Sequence, residues 1–356
     1  MRHGSALDPP NRFDRIHTET DLEQVAWDTE YLRECDNRSI EFIEDTSRSI
    51  VSENTSPDVP FRYSVNPYRG CIHACSYCYA RPGHEFLGFN AGRDFETKIV
   101  IKRDAASLLR DFLAREDYEP ETIVFSGVTD CYQPAERRFR LTRQCIEVAH
   151  ACRQPVGIIT KNALVVRDID LLKEMGRQRL ARVFVSVTTL EPDLASTMEP
   201  RTSIPNARLR TIRELSAAGI PTGVMVAPVI PGLNDSEIPR ILEAARDAGA
   251  SMAGYVMLRL PLTVEPVFQE WIQREYPDRA ERVLGRIRQA REGNLNSALY
   301  GERMRGTGII ANQIGNMFQL FRQRYELNQE PPAQDLSVFQ RPLPRSGQMR
   351  LFDQAD

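Results

Sequence analysis

The stretch from Asn66 to Arg81, NPYRGCIHACSYCYAR, sets Cys71, Cys75 and Cys78 within eight positions of one another. Thiols this close in sequence point to a shared partner: a metal ion, a redox couple or a cluster. Sulfur donors alone select zinc, copper(I) or an iron–sulfur cluster. Structural zinc needs a fourth ligand, usually from a second pair roughly 12 to 20 residues away. No such pair exists here, so His73 or His84 would have to complete the site as a short knuckle. Cys75 and Cys78 have the spacing of a dithiol couple, which leaves Cys71 unexplained. Three thiols at x3 and x2 spacing can hold three irons of a four-iron, four-sulfur (4Fe–4S) cluster and leave the fourth open. An open metal position belongs to catalysis more than to structure, because something exchangeable must occupy it. On the residues alone, the open cluster leads and zinc stays as the alternative.

The remaining cysteines, Cys35, Cys131, Cys145 and Cys152, are scattered, and an odd total of seven argues against a disulfide framework. No apolar run approaches the ~20 residues needed to cross a bilayer. The longest, PTGVMVAPVIPGL, is broken by Pro221, Pro228 and Pro231, and the first residues lack the apolar core of a signal peptide. A cytoplasmic enzyme with no membrane partner is the expectation. Charge is uneven: residues 1–60 hold 14 acidic residues against 6 Arg, net −8, and the rest, with 40 basic and 35 acidic, is net +5. A body this mildly basic permits a polyanionic partner without requiring one.

The elements that must position the cysteines follow from periodicity. Short β-branched runs, TIVFSGV, PVGIIT, RVFVSVTT, TGVMVAPVI and AGYVMLRL, alternate with amphipathic runs such as LTRQCIEVAHACR and NARLRTIRELSAAG. The strand runs are apolar on both faces, as a parallel sheet covered by helices requires. With FRYSV ahead of the cysteine loop this makes about six βα units, fewer than a closed eight-stranded barrel. Asp168 and Asp235 are expected to cap helix starts, and Gly219 and Gly249 to end helices. The expected organisation is an acidic extension (1–58), an α/β partial (β/α)6 TIM-like barrel (59–265), a helical region (266–330) and an extended tail (331–356).

CIHACSYC matches the C-x3-C-x-aromatic-C signature of the radical S-adenosylmethionine (SAM) superfamily. Around it, DFETKIVIK, GVTDCYQPAE, IITKN, SVTTLEP, EPRTSIP, GLND and YVMLRLP resemble the branch of DNA repair photolyases and spore photoproduct lyase-like proteins, from about Asn54 to Arg324. The resemblance implies that Cys71, Cys75 and Cys78 ligate a 4Fe–4S cluster whose fourth iron is chelated by SAM. One electron, from a donor such as flavodoxin or ferredoxin, then yields a 5′-deoxyadenosyl radical that takes hydrogen from a substrate, with nucleic acid as the substrate class the branch implies. It places Tyr77 near the adenine, Asp130 on the methionyl ammonium with Thr129 assisting, and Lys161, Ser186 and Arg201 on the carboxylate and ribose hydroxyls. Met225, Val226 and Ala227 are to line the adenine.

One departure stands out. Spore photoproduct lyase has its hydrogen-returning cysteine three positions before the Asp matched by Asp130, and this chain has Gly127 there. Cys131 is the candidate replacement donor. The competing reading is a zinc-containing nucleic-acid-binding protein without radical chemistry, in which GERMRGTG, with Arg303 and Arg305, cradles a phosphate.

Overall fold

The computed structural model describes residues 2–14, 39–330 and 333–343. Cys35, residues 15–38 of the acidic extension and the MRLF end of the tail lie outside them. Ten strands are defined: β1 (Glu41–Glu44), β2 (Val51–Glu53), β3 (Tyr63–Val65), β4 (Tyr68–Arg69), β5 (Lys98–Ile101), β6 (Ile123–Phe125), β7 (Val156–Thr160), β8 (Ala181–Ser186), β9 (Thr222–Val229) and β10 (Met252–Met257). Seven form one sheet in the order β10-β9-β8-β7-β6-β3-β2. The six from β3 to β10 are mutually parallel, and β2 is an antiparallel edge strand. The six apolar runs read from the sequence are these six parallel strands.

Alternation along the strands assigns the two faces. Ala181, Val183 and Val185 of β8 enter the main core with Leu172, Met175, Ile212 and Leu215 from the covering helices. Arg182, Phe184 and Ser186 therefore take the opposite, inner face. Glycines on neighbouring strands leave room there, since a Cβ at Gly223 would come within 2.4 Å of the Phe184 ring.

A flat seven-stranded sheet would hold β2 and β10 roughly 29 Å apart at ~4.8 Å per strand. Yet Asp58, on the β2–β3 connection, meets Arg303 at 2.6 Å. Arg303 belongs to a segment that joins β10 through Met257 N donating to the Met304 carbonyl (3.0 Å). The sheet must curl until its two edges face each other, which is the partial barrel.

Helix punctuation is only half as expected. Gly219 and Gly249, at φ 80° and 97°, follow the helices Pro205–Ala217 and Ile238–Asp247. Asp168 precedes the helix Ile169–Arg177 but makes no cap. Its buried carboxylate accepts instead from Arg143, Arg167 and Tyr132. Asp235 accepts from the Gly232 amide (3.0 Å) in the preceding turn.

A second sheet, β1-β5-β4, was not legible in the sequence, and it delivers the cysteine loop. β4 pairs antiparallel with β5 and ends at Arg69. Gly70 then turns at φ 76°, where a Cβ would lie 2.9 Å from the Lys98 carbonyl oxygen. Cys71 N donates to the Phe95 carbonyl (2.9 Å), which pins the loop at its first thiol. The helices Val264–Glu275 and Pro277–Gln289 build a second core that includes Cys75 and Tyr77.

Candidate active site

Cys71 and Cys75 are buried and Cys78 is partly so. Burial pushes all three thiols up, and Cys71 also feels Cys78 and Cys75. A cationic metal group must therefore displace protons from them on binding. The donor set fits an iron–sulfur cluster: it is sulfur alone, and the one histidine inside the loop is engaged on both ring nitrogens. His73 Nδ1 lies 3.5 Å from Asp130 Oδ2, and its Nε2 lies 3.0 Å from the Asn162 amide nitrogen. Burial lowers its pKa to about 4. Ligands of a single zinc lie within about 4 Å of one another, given Zn–S bonds of ~2.3 Å. Among the described residues no group of three or more His, Cys, Asp or Glu side chains, the loop cysteines included, is placed as ligands of one metal ion.

Asp130 is the hub of the strand ends beside this loop. It accepts from the Tyr132 amide (2.9 Å), the Thr160 hydroxyl (2.8 Å) and the Lys161 amide (2.8 Å). Together with His73 these contacts tie the ends of β6 and β7 to the cysteine loop. The Thr129 hydroxyl donates to the Tyr68 carbonyl (2.6 Å), which ties it to β4. The Lys161 ammonium has no carboxylate in ion-pair range among the described residues. It rests 5.8 Å from the centroid of the Tyr77 ring, and its charge favours the thiolates of Cys75 and Cys78.

Tyr77 is itself committed. Its hydroxyl donates to Glu199, a buried carboxylate that also pairs with Arg208 and accepts from Thr188 (2.9 Å). Burial pushes the Glu199 carboxyl up, but Arg208, Lys161 and the donated hydrogen bonds outweigh it and hold the pKa below the ordinary value. Neither Glu199 nor Arg208 was singled out from the sequence. Their one sequence signal is their place in the EPRTSIPNAR run.

Arg201 goes elsewhere than expected. Its guanidinium reaches Glu96 (3.4 Å), His3 Nδ1 (3.0 Å) and the Arg2 carbonyl (3.0 Å), so its carboxylate partner is the protein's own. Glu96 is fully buried and also binds Arg81 at 2.6 Å, while Arg81 donates to the Cys75 carbonyl. The amides of Gly4 and Ser5 donate to the same carboxylate. Residues 2–12 thus form a strap over the outside of the cysteine loop. Its fit is close: a Cβ on Gly4 would lie 1.8 Å from the Ala74 carbonyl oxygen.

Ser186 is buried at the end of β8, and its carbonyl accepts from Arg208 (3.1 Å). Met225, Val226 and Ala227 are consecutive on β9 and cannot share a face. Val226 joins the helix-side core, whereas Met225 lies on the inner side against Gly254. Cys131 has no exposed surface and packs in the main core, where burial raises its thiol pKa. This setting offers no support for a hydrogen-donor role. At Gly127 a Cβ would lie 2.7 Å from that of Ser64, so the position has no room for a side chain while Ser64 stays as it is.

The chain is 41% identical over 226 residues to an uncharacterised protein of Mycobacterium tuberculosis, covering 63% of this chain and 66% of that one. It thus spans just under two thirds of the length of its mycobacterial relatives. An uncharacterised protein of Methanocaldococcus jannaschii is 27% identical over 245 residues, 69% of this chain and 87% of its own. Among solved structures, spore photoproduct lyase complexed with dinucleoside spore photoproduct superposes with a TM-score of 0.58 over 80% of this chain and 79% of that one. At 16% identity, that is a likeness of fold. The family model described as the radical SAM superfamily matches residues 65–245, from the end of β3 to the helix Ile238–Asp247, and on that match the chain belongs to the radical SAM superfamily.

Proposed function

We propose that this protein is a radical SAM enzyme in which Cys71, Cys75 and Cys78 hold a 4Fe–4S cluster with one iron left for SAM. The observation that carries the reading is the largely buried all-sulfur triad beside strand ends that present a carboxylate, Asp130, and an ammonium, Lys161, with no carboxylate in ion-pair range among the described residues. When bound, the cluster and SAM supply a 5′-deoxyadenosyl radical that removes hydrogen from the substrate. The chain's own residues bind and orient. Asp130 faces the methionyl ammonium while braced by Thr160 and Lys161, and Lys161 meets the methionyl carboxylate. Met225 lies against the adenine from the inner face of β9. The strap and the second core keep water from the thiols.

Nucleic acid is the substrate class this reading favours. The support is the fold shared with spore photoproduct lyase and the net positive charge beyond the N-terminal segment. The lyase's own reaction is not carried over, because Gly127 offers no thiol and Cys131 is sealed in the core. A cytoplasmic setting with flavodoxin or ferredoxin as reductant completes the proposal. Among the described residues no helix is long and apolar enough to cross a membrane.

Anaerobic reconstitution tests the reading. About four irons with matching sulfide per chain, and 5′-deoxyadenosine formed on reduction with SAM, are expected. One zinc without sulfide, or a full cluster that yields no 5′-deoxyadenosine, overturns it.

A further inference from the structure

Arg259 stands two residues past the end of β10, at the strand ends where the cysteine loop also lies. Its guanidinium sits 5.6 Å from the centroid of the Tyr79 ring, and Tyr79 directly follows Cys78. Among the described residues no carboxylate reaches it at ion-pair distance. Its hydrogen bond goes to the Met304 sulfur (3.8 Å), and its buried Nε has no partner. A guanidinium normally spends its donors on carboxylate or phosphate oxygens. Here they are held in place and left over.

The surroundings raise the local positive charge. Arg303 is close enough that, after burial, it is the next cause lowering the Arg259 pKa. Asp58 is already committed to the Arg303 guanidinium and the Gly301 amide, both at 2.6 Å. Arg291, 3% exposed, donates to the carbonyls of Leu258 (2.6 Å), Glu302 (3.0 Å) and Arg303 (2.9 Å). It thereby fixes the backbone next to both other arginines and acts as a positioning residue. The chain accepts the mutual repulsion of these cations and builds a frame to keep it.

Two exposed rings complete the arrangement. Tyr79, 45% exposed, is anchored by its hydroxyl on the Gly127 carbonyl (2.9 Å). Tyr300, 62% exposed, lies under the Arg303 guanidinium at 4.6 Å. Arginine beside open aromatic faces is the pattern that holds phosphates and stacks bases.

We propose that Arg259, with Arg303 beside it, binds a phosphate ester of the substrate at the barrel mouth, and that Tyr300 and Tyr79 face the base or sugar joined to it. This gives the GERMRGTG segment a role inside an enzyme, in place of the zinc protein considered from sequence. The proposal rests on the nucleic-acid reading for its occupant, and its test reads binding alone.

The experiment uses the reconstituted full chain and a fluorescein-labelled twelve-nucleotide single strand, followed by fluorescence anisotropy at ~50 mM salt. Arg259→Gln is the diagnostic change because Arg259 makes no ion pair among the described residues whose loss would unfold the protein. Unchanged iron content and circular dichroism confirm the fold. The variant is expected to bind the strand at least about tenfold more weakly, with a salt slope reduced by about one. Tyr300→Ala weakens strand binding, and Tyr300→Phe restores it. Competition by inorganic phosphate, a 5′-mononucleotide and the unlabelled strand distinguishes a small phosphate ester from a polymer, and displacement by any of them supports the site. Equal affinity of wild type and Arg259→Gln, or no binding of strand or mononucleotide by the wild type, overturns it. A wild type that binds the strand but makes no 5′-deoxyadenosine removes the radical reading and leaves this site standing.

Discussion

Asp58 and Arg303 are separated by 245 positions and meet at 2.6 Å, with side chains only 8% and 17% exposed. The pair joins the two edges of a sheet that has no hydrogen-bonded closure, with Ser56 and the Gly301 amide adding to the junction. Asp58→Asn removes the charge and leaves the shape. The expected result is faster trypsin cleavage after Arg303 and Arg305, read by mass spectrometry, with the six-stranded body intact. Cleavage at the wild-type rate would mean that the junction holds without the ion pair.

Lys161 and Asp130 should separate in their effects on SAM. Lys161→Met removes an ammonium that makes no ion pair among the described residues, so cluster content should stay near wild type while SAM affinity falls about tenfold or more, ~1.4 kcal/mol. Asp130→Asn should lower both, because that carboxylate also braces His73, Thr160 and the Lys161 amide. Calorimetric titration of SAM into anaerobic, cluster-loaded protein measures the first quantity and iron analysis the second. Loss of cluster in Lys161→Met would show that the ammonium serves the thiols instead.

Glu96 is a stability prediction with a defined pH sign. Burial pushes its carboxyl up, yet Arg81, Arg201 and the His3 hydrogen bond outweigh that and hold the pKa below the ordinary value. Its stabilising contribution is present above the unfolded value near 4.5 and is lost as pH falls through the lower folded value. Glu96→Gln leaves Arg81 buried without its counter-charge and should cost roughly 3–5 kcal/mol at pH 7. Urea unfolding checks this, and the variant should also lose part of the acid dependence. A cost under about 1 kcal/mol would mean that water reaches Arg81.

His84 acts in the opposite range. It is 2% exposed between Phe89 and Phe95, its Nε2 has no partner, and burial lowers its pKa to about 4. The unfolded chain takes up a proton near pH 6.5 and the folded chain does not. Stability should therefore fall between pH 6.5 and 4 by up to about 3 kcal/mol, with no further loss from this group below pH 4. Urea midpoints at pH 7 and 5 should differ more for wild type than for His84→Leu.

How far the sequence could be read depended on whether a property was local. The six parallel strands are runs whose apolar pattern is complete within each run, and the cysteine loop carries its spacing with it. Contacts with residues far away in the chain are not legible in this way. Nothing near EPRTSIP discloses that residues 2–5 return to Glu96 and so bring Arg201 a carboxylate from the protein itself. Met225, Val226 and Ala227 were grouped although strand alternation sends the middle one to the other face. Arg259 lay unremarked in YVMLRLP, since its meaning depends on Tyr79 from 180 positions earlier and on the lack of a carboxylate at ion-pair distance among the described residues.

The strap over the cysteine loop also sets an order of assembly. Arg2 is held by Glu275 and the Ala6 amide by Glu270, on a helix made more than 260 residues after the strap itself. The thiols are complete long before that cover can close on them. Any group that the thiols bind therefore has an open loop to enter until the helix Val264–Glu275 is made and the strap docks on it.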